Sequence, residues 1–462
     1  MCTRSQRRYS PQDFSLLLLL AFAIALSGSV SAIADPAAVM GSGNFSDAHA
    51  GFVEAQQFAA LNAAGAKACR MNIYPYTYYW AGKKATPERL DAAVLQAHAA
   101  GVTPMLLFEY YTRFDTPVGD YAVWHEIGNA FASRFMPNSA WWLTQGIKNY
   151  GITIYSAFNE PDIDKPLLAP KVYHDALKGL ADGVHAANPL LKVVPGGIAA
   201  PNSQRDFTSA GLGSAIADLL NDGTLDGVDI HDYNGRWAPL SDHNSSAQYY
   251  FDAVKKAWGV TRDINFYTTE FNYQQATPEG SDNAIGDSAA AGYLLTMTWD
   301  ILGVVGNSGT SVTKLAFCWN LFDTMASDNS YGSCTTLSPW QPTARGAAYS
   351  QVAHLTSGMT IVAADPYKSG SYILASRDKK MWVWQDRVHW TNIPGAACTL
   401  TGVPKGAKTL QVYGWDGLRK TIPLHGAATV EIDNLPGNET YMFMTDKGGA
   451  GKDVGTMVRA TD

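Results

Sequence analysis

The chain has 462 residues, 46% hydrophobic, 16% charged and 11% aromatic, with 34 Lys plus Arg against 41 Asp plus Glu and a formal charge of −7. The apolar content excludes disorder as a description of the whole chain, and neither the 42 Gly nor the five Cys fit a collagen-like rod or a disulfide scaffold. No run of five or more basic residues is present, so a nucleic-acid backbone finds no electrostatic footprint here.

The N-terminus reads as an export signal. Arg4, Arg7 and Arg8 precede an apolar run of 11 residues from Leu16 to Leu26, and Ala32-Ile33-Ala34 supplies a small-residue cleavage site. A membrane span needs about 20 apolar residues, so this run is too short to be an anchor. Residues 1–34 are therefore assigned to a secretory signal peptide, and the product is expected outside the cytoplasm, extracellular or periplasmic, with no membrane attachment after cleavage near Ala34. Export permits disulfides. Cys318 and Cys334 flank one loop and are the expected bridge, whereas Cys69 and Cys398 sit in strand-like runs as buried thiols. The Cys spacings match no zinc-ligand pattern, so no metal site is expected.

From about residue 37 to 356, short apolar runs alternate with longer stretches of helical period. Strands are predicted at 37–41, 66–72, 102–108, 152–159, 191–197, 226–231, 264–270 and 313–319. Helices are predicted at 51–64, 87–100, 122–150, 170–187, 213–222, 247–258, 286–304 and 342–356. Gly65, Gly101, Gly151 and Gly259 stand where helices should stop ahead of the next strand. Eight strand–helix pairs give a (β/α)8 TIM barrel over residues 35–356. The competing doubly wound sheet lacks a GxGxxG after its first strand. Beyond residue 357 the helical period vanishes. Strand-like runs at 371–377, 380–386, 409–415, 429–434 and 441–446 predict a small antiparallel β-sandwich over 357–447, and 448–462 is expected to be a flexible tail. The fold class is thus α/β: a TIM barrel followed by a C-terminal β-sandwich.

Reactive groups in such a barrel sit at the C-terminal ends of its strands. Strand four ends in Phe158-Asn159-Glu160-Pro161-Asp162 and strand seven in Thr269-Glu270-Phe271-Asn272, so two glutamates, Glu160 and Glu270, face one mouth. Cleavage of a glycosidic bond needs such a pair, one carboxyl to protonate the leaving oxygen and one to attack or to activate water. A single exposed Glu is usually a helix cap or a surface ion-pair partner; two at the ends of apolar strands are harder to explain that way. Glu109, Asp162, Asp229 and Asp232 are the rival strand-end carboxylates and rank below the pair. The run Tyr74 to Trp80, rich in Tyr, either walls outer sugar subsites or packs on the barrel rim.

The Asn159-Glu160-Pro161 motif with Glu270 at strand seven resembles clan A of the retaining glycoside hydrolases, across the whole barrel. The layout is similar to families 39, 30 and 5, and the trailing sandwich resembles that of families 30 and 39. The resemblance implies Glu160 as acid/base, Glu270 as nucleophile and Asn159 as a ligand of the sugar 2-hydroxyl. It further implies that Arg70 and Tyr233 bond the nucleophile, that His231 lines the pocket and that Trp319 floors the reacting subsite. Phe158 stands where many clan members carry Trp. The expected activity is double-displacement hydrolysis of oligo- or polysaccharides without cofactor or metal. Glycosyl transfer by the same residues, or a non-catalytic carbohydrate-binding protein, are the alternatives.

Overall fold

The computed structural model describes residues 36–46, 55–74, 79–81, 84–110, 118–163, 167–199, 211–234, 246–273, 287–319, 334–337, 339–366, 370–385, 394–436, 439–448 and 456–459. The expected signal peptide and the core of the aromatic run, residues 75–78, lie outside them.

Eight parallel strands form the barrel: β1 (Met40–Ser46), β2 (Ala68–Ile73), β3 (Thr103–Phe108), β4 (Ile154–Ala157), β5 (Lys192–Pro195), β6 (Gly227–Asp229, resuming at Asp232–Asn234), β7 (Asn265–Tyr273) and β8 (Thr313–Cys318). The hydrogen-bonded order runs β5-β4-β3-β2-β1-β8-β7-β6. The circle is completed between β5 and β6 by a parallel bridge from Ile198 to Ile230, with Asp226 N donating to Val193 O at 2.8 Å. Outside it lie α1 (Ala55–Ala63), α2 (Asp91–Ala99), α3 (Tyr121–Phe135), α4 (Pro170–Ala187), α5 (Ala217–Asp222), α6 (Ala247–Trp258), α7 (Asp287–Leu302) and α8 (Ala344–Thr356). The predicted TIM barrel is present.

Several boundaries differ from the sequence reading. Met40–Ser46 begins where the first predicted strand was ending, because Pro36–Val39 forms one helical turn instead. The predicted helix 122–150 stops at Phe135, since Pro137 removes a backbone donor, and only Ala140–Thr144 resumes as a short helix capped by Ser139. Gly65, Gly101 and Gly259 adopt positive φ as helix stops should. Gly151 does not. It is glycine for close packing: a Cβ there would lie 2.4 Å from Pro137 N.

The C-terminal sandwich has two sheets. The larger contains β9 (Thr360–Asp365), β10 (Ser371–Ala375), β11 (Lys380–Gln385), β13 (Thr409–Gly414), β14 (Gly417–Pro423) and β16 (Thr440–Thr445). The smaller contains β12 (Pro394–Thr401), β15 (Thr429–Pro436) and β17 (Met457–Arg459). Within the span expected to be a flexible tail, Met457–Arg459 pairs antiparallel with β12 at the edge of the smaller sheet. Period-two alternation divides the larger sheet's side chains between two cores. Tyr372, Leu374, Met381, Val383, Met442 and Met444 join the barrel's core, whereas Ile373, Trp382, Trp384 and Phe443 pack between the two sheets.

Helices α3 and α4 approach through glycine. A Cβ at Gly183 would lie 2.1 Å from His125 O, and one at Gly128 would lie 2.5 Å from Leu180 O. Gly183→Ala should therefore part the helices and lower unfolding free energy by about 1–3 kcal/mol, read as a lower urea midpoint at constant slope. An unchanged midpoint would show that the helices do not depend on this contact.

Candidate active site

Alternation along the barrel strands sets the level at which the interior turns polar. Ala68, Met105, Val194, Tyr267, Leu315 and Phe317 fill the barrel as an apolar plug. Two residues further along the same strands stand Arg70, Thr269 and Trp319, and at the next step of β2 stands Asn72. On β7 the register against β8 shifts between Thr268 and Phe271, and both Thr269 and Glu270 reach the interior there.

Arg70, 1% exposed, is the hub. Its Nε donates to Asn72 Oδ1 at 2.9 Å and its Nη1 to Asn159 Oδ1 at 3.2 Å and Thr269 Oγ1 at 3.1 Å. Its Nη2 donates to Glu270 Oε1 in a buried ion pair. The other oxygen of Glu270 accepts from Tyr233 OH at 2.7 Å. Burial raises the Glu270 carboxyl, but the His231 and Arg70 charges and the bonds from Arg70 and Tyr233 prevail and hold it below the ordinary glutamate value. Glu270 is therefore an oriented carboxylate at neutral pH.

Glu160 is placed by backbone strain. Phe158 and Glu160 both hold positive φ, 69° and 46°, which non-glycine residues seldom adopt outside functional sites. The compensation comes from the neighbouring ends of β3 and β5. Phe158 N donates to Phe108 O, Glu160 N donates to Gly197 O, and the Phe158 ring packs between Trp124 and Tyr173. Gly196 admits the turn, because a Cβ there would lie 1.7 Å from Phe158 O.

His231 sits fully buried where β6 is interrupted, its ring against Gly197, where a Cβ would lie 2.2 Å away. Its Nδ1 is 2.8 Å from Glu160 Oε1 and 3.6 Å from Glu270 Oε2. Burial lowers its affinity for a proton, yet the nearby carboxylates of Glu270, Glu160 and Asp229 outweigh this and push its pKa up to about 9. Asp229, 1% exposed, accepts from Thr269 N at 3.0 Å and Thr269 Oγ1 at 2.7 Å.

The structure thus brings together all seven residues singled out from sequence. Glu160, Glu270, Arg70, Asn159, His231 and Tyr233 form one bonded network, and half-buried Trp319 presents its ring edge-on to Tyr233 with centroids 6.2 Å apart. Three of the four rivals have other partners. Glu109 accepts from Asn72, Asp162 accepts from Ala199 N, and Asp229 serves Thr269. Sequence reasoning missed Asn72 and Thr269, whose only signal was a polar side chain at an apolar strand's end. Tyr79 packs in the core against Phe131, which places this end of the aromatic run in the rim.

Atoms of Glu160, His231 and Glu270 lie within 4.8 Å of one another, close enough to surround one cation. They are spent on one another, on Arg70 and on Tyr233, and the guanidinium opposes a further positive charge. Cys69 and Cys398 are buried free thiols, raised by burial. The expected Cys318–Cys334 bridge falls on the Cys334 side chain, which lies outside the described residues.

No protein-family model and no curated protein matches the chain. Solved structures do. A glucosidase from Croceicoccus marinus superposes with a TM-score of 0.59 at 13% identity, covering 91% of this chain and 98% of that one. A family 30 endoxylanase from Clostridium papyrosolvens gives 0.57 at 13% identity, with 90% and 97% covered. A family 39 glycoside hydrolase from Bacteroides cellulosilyticus gives 0.55 at 17% identity, with 89% and 81% covered.

The buried ion pair makes a prediction of definite sign. A carboxyl depressed by folding lends stability above the ordinary glutamate range, and that stability is lost as pH falls through the folded value. Arg70→Met should cost about 3–5 kcal/mol at neutral pH and should flatten the loss of stability on acidification. Denaturant melts of both proteins at neutral and acid pH test this, and parallel acid losses would contradict it. In fold, the chain is similar over nearly its whole length to these glycoside hydrolases, barrel and sandwich together.

Proposed function

We propose that the chain is a retaining glycoside hydrolase acting on oligo- or polysaccharides. The observation that carries this reading is the pairing at the mouth of the barrel: a carboxylate oxygen of Glu160 and one of Glu270 lie within 4.8 Å of each other. Retaining enzymes hold their carboxyl groups about 5–5.5 Å apart, whereas inverting enzymes leave about 6.5–9.5 Å for a water.

The network assigns the steps. Glu270, ionised and fixed by Arg70 and Tyr233, attacks the anomeric carbon and forms a glycosyl ester. Glu160 gives a proton to the departing oxygen, then takes one from the water that cleaves the ester. Asn159 has its carbonyl oxygen committed to Arg70, so its amide N–H groups are oriented toward a sugar hydroxyl. Trp319 offers an aromatic surface on which the C–H face of a sugar ring stacks. The basic N-terminus, apolar run and Ala32-Ile33-Ala34 support export of the enzyme.

Glu270→Gln should abolish turnover. Glu160→Gln should slow polysaccharide hydrolysis by about 10²–10⁴-fold, with a far smaller effect on release of a nitrophenolate, which departs without a proton. A panel of aryl glucosides, xylosides and arabinofuranosides with plant and microbial polysaccharides tests both, product anomers being read by NMR. Inverted product, or wild-type turnover by the double variant, rejects the assignment.

A further inference from the structure

Behind the two glutamates lies a third carboxylate with no place in the chemistry above. Asp229 on β6 is buried, and its two oxygens are both held by one residue, Thr269. Oδ1 accepts the Thr269 backbone N–H at 3.0 Å, and Oδ2 lies 2.7 Å from Thr269 Oγ1.

The donor inventory around that hydroxyl is short. A threonine hydroxyl has one hydrogen and two lone pairs. Burial raises the Asp229 carboxyl, opposed by the His231 and Arg70 charges and the two bonds from Thr269; as a carboxylate its Oδ2 only accepts, so the threonine hydrogen goes to it. Arg70 Nη1, 3.1 Å away, only donates and takes one lone pair. His231 Nε2, 3.2 Å away, then faces a remaining lone pair and a guanidinium, and must itself be N–H. On the far side of the ring, Nδ1 lies 2.8 Å from Glu160 Oε1, where a second N–H is wanted.

We propose that Asp229 is a positioning residue which, through the Thr269 hydroxyl, keeps His231 protonated on both nitrogens so that its Nδ1–H holds one oxygen of Glu160. The proposal rests on the assignment of Glu160 as acid/base. With Oε1 held, Oε2 is the oxygen that exchanges a proton with the substrate. When Oε2 gives its proton to the leaving oxygen, the carboxylate that remains is met by the imidazolium; His231 itself neither gains nor loses a proton. The charges facing the ring agree: Asp229 on β6 and Glu270 on β7 outnumber Arg70 on β2, Glu160 beyond β4 adds a third negative charge once it has given up its proton, and the β5 end contributes Gly197. A ring pKa of about 9 follows the same balance.

Asp229→Asn is a sharp test because the structure dictates how the amide must sit. Its oxygen is required by the Thr269 backbone N–H, so its NH2 faces Oγ1 and donates. The threonine hydrogen is then driven toward His231 Nε2, which becomes the bare nitrogen of a neutral ring. Nitrogen-15 NMR of histidine-labelled protein at neutral pH reads this directly. In the wild type both ring nitrogens of His231 should carry protons; in Asp229→Asn and Thr269→Val, Nε2 should lose its proton; in Thr269→Ser, which keeps the hydroxyl, both should remain. Hydrolysis of glycosides with poor leaving groups should fall about tenfold in Asp229→Asn, and that of a nitrophenyl glycoside much less.

A neutral His231 in the wild type, or an imidazolium persisting in Asp229→Asn, overturns the proposal whatever the activity. An equal fall on both substrates also overturns it, by showing a merely structural role. If the wild type cleaves no glycoside, the functional reading fails, while the NMR outcome still decides the state of His231.

Discussion

A guanidinium sealed inside a barrel is costly unless every direction in which it points is answered. Arg70 meets that demand through contacts from two other strand ends and its own strand: Asn72 on β2, Asn159 after β4, and Thr269 and Glu270 on β7. The rest of the site is arranged around this requirement. Glu270 cannot turn away without stranding a buried cation, and Asn159 cannot turn without losing its acceptor contact. A charge that would weaken an ordinary core here fixes the rotamers of its neighbours, at a level just above the apolar plug formed by Ala68, Met105, Tyr267 and Phe317.

A second constraint is steric and comes from the backbone. The left-handed conformations of Phe158 and Glu160 lift Glu160 out of the strand direction, and Gly196 and Gly197 clear the space for that turn and for the His231 ring. The strain is stored where it aims Glu160, and it is offset by burial of Phe158 between Trp124 and Tyr173. Arg70 thus fixes one carboxylate by charge, while the glycines let strain fix the other, and His231 joins the two.

The barrel was legible because buried parallel strands are continuous apolar runs, and α4 and α6 begin and end where their periodicity does. Met40–Ser46 was misplaced because MGSGNFS is poor in apolar residues and is a strand only through pairing with β2 and β8. In the sandwich, β9, β12, β14 and β17 escaped notice. Gly417–Pro423 carries Arg419 and Lys420 on an edge, where charge is permitted, so its composition reads as loop. The two glutamates were readable from their positions at strand ends, and Arg70 from the resemblance that those glutamates carry. Thr269 was not, since threonine is common in strands and faces inward by ordinary alternation; it is Glu270 that the register shift on β7 brings in beside it.

The sandwich belongs to the same mechanical system. Trp299 of α7 stacks on Tyr372 with centroids 6.0 Å apart, Gln385 donates to Thr296 O, and Gln351 of α8 donates to Gly414 O. Trp382 and Trp384 are buried between the sheets as packing residues. From α8 the support continues inward. Tyr349 OH bridges Gly41 O and Ala316 O, and buried Arg345 donates to Asn272 Oδ1 and Tyr273 O at 3.3 Å. Those last two residues follow Glu270 by two and three positions. A sheet packed against α7 and α8 therefore braces the end of β7, the strand on which the ionised glutamate must keep its place against Arg70.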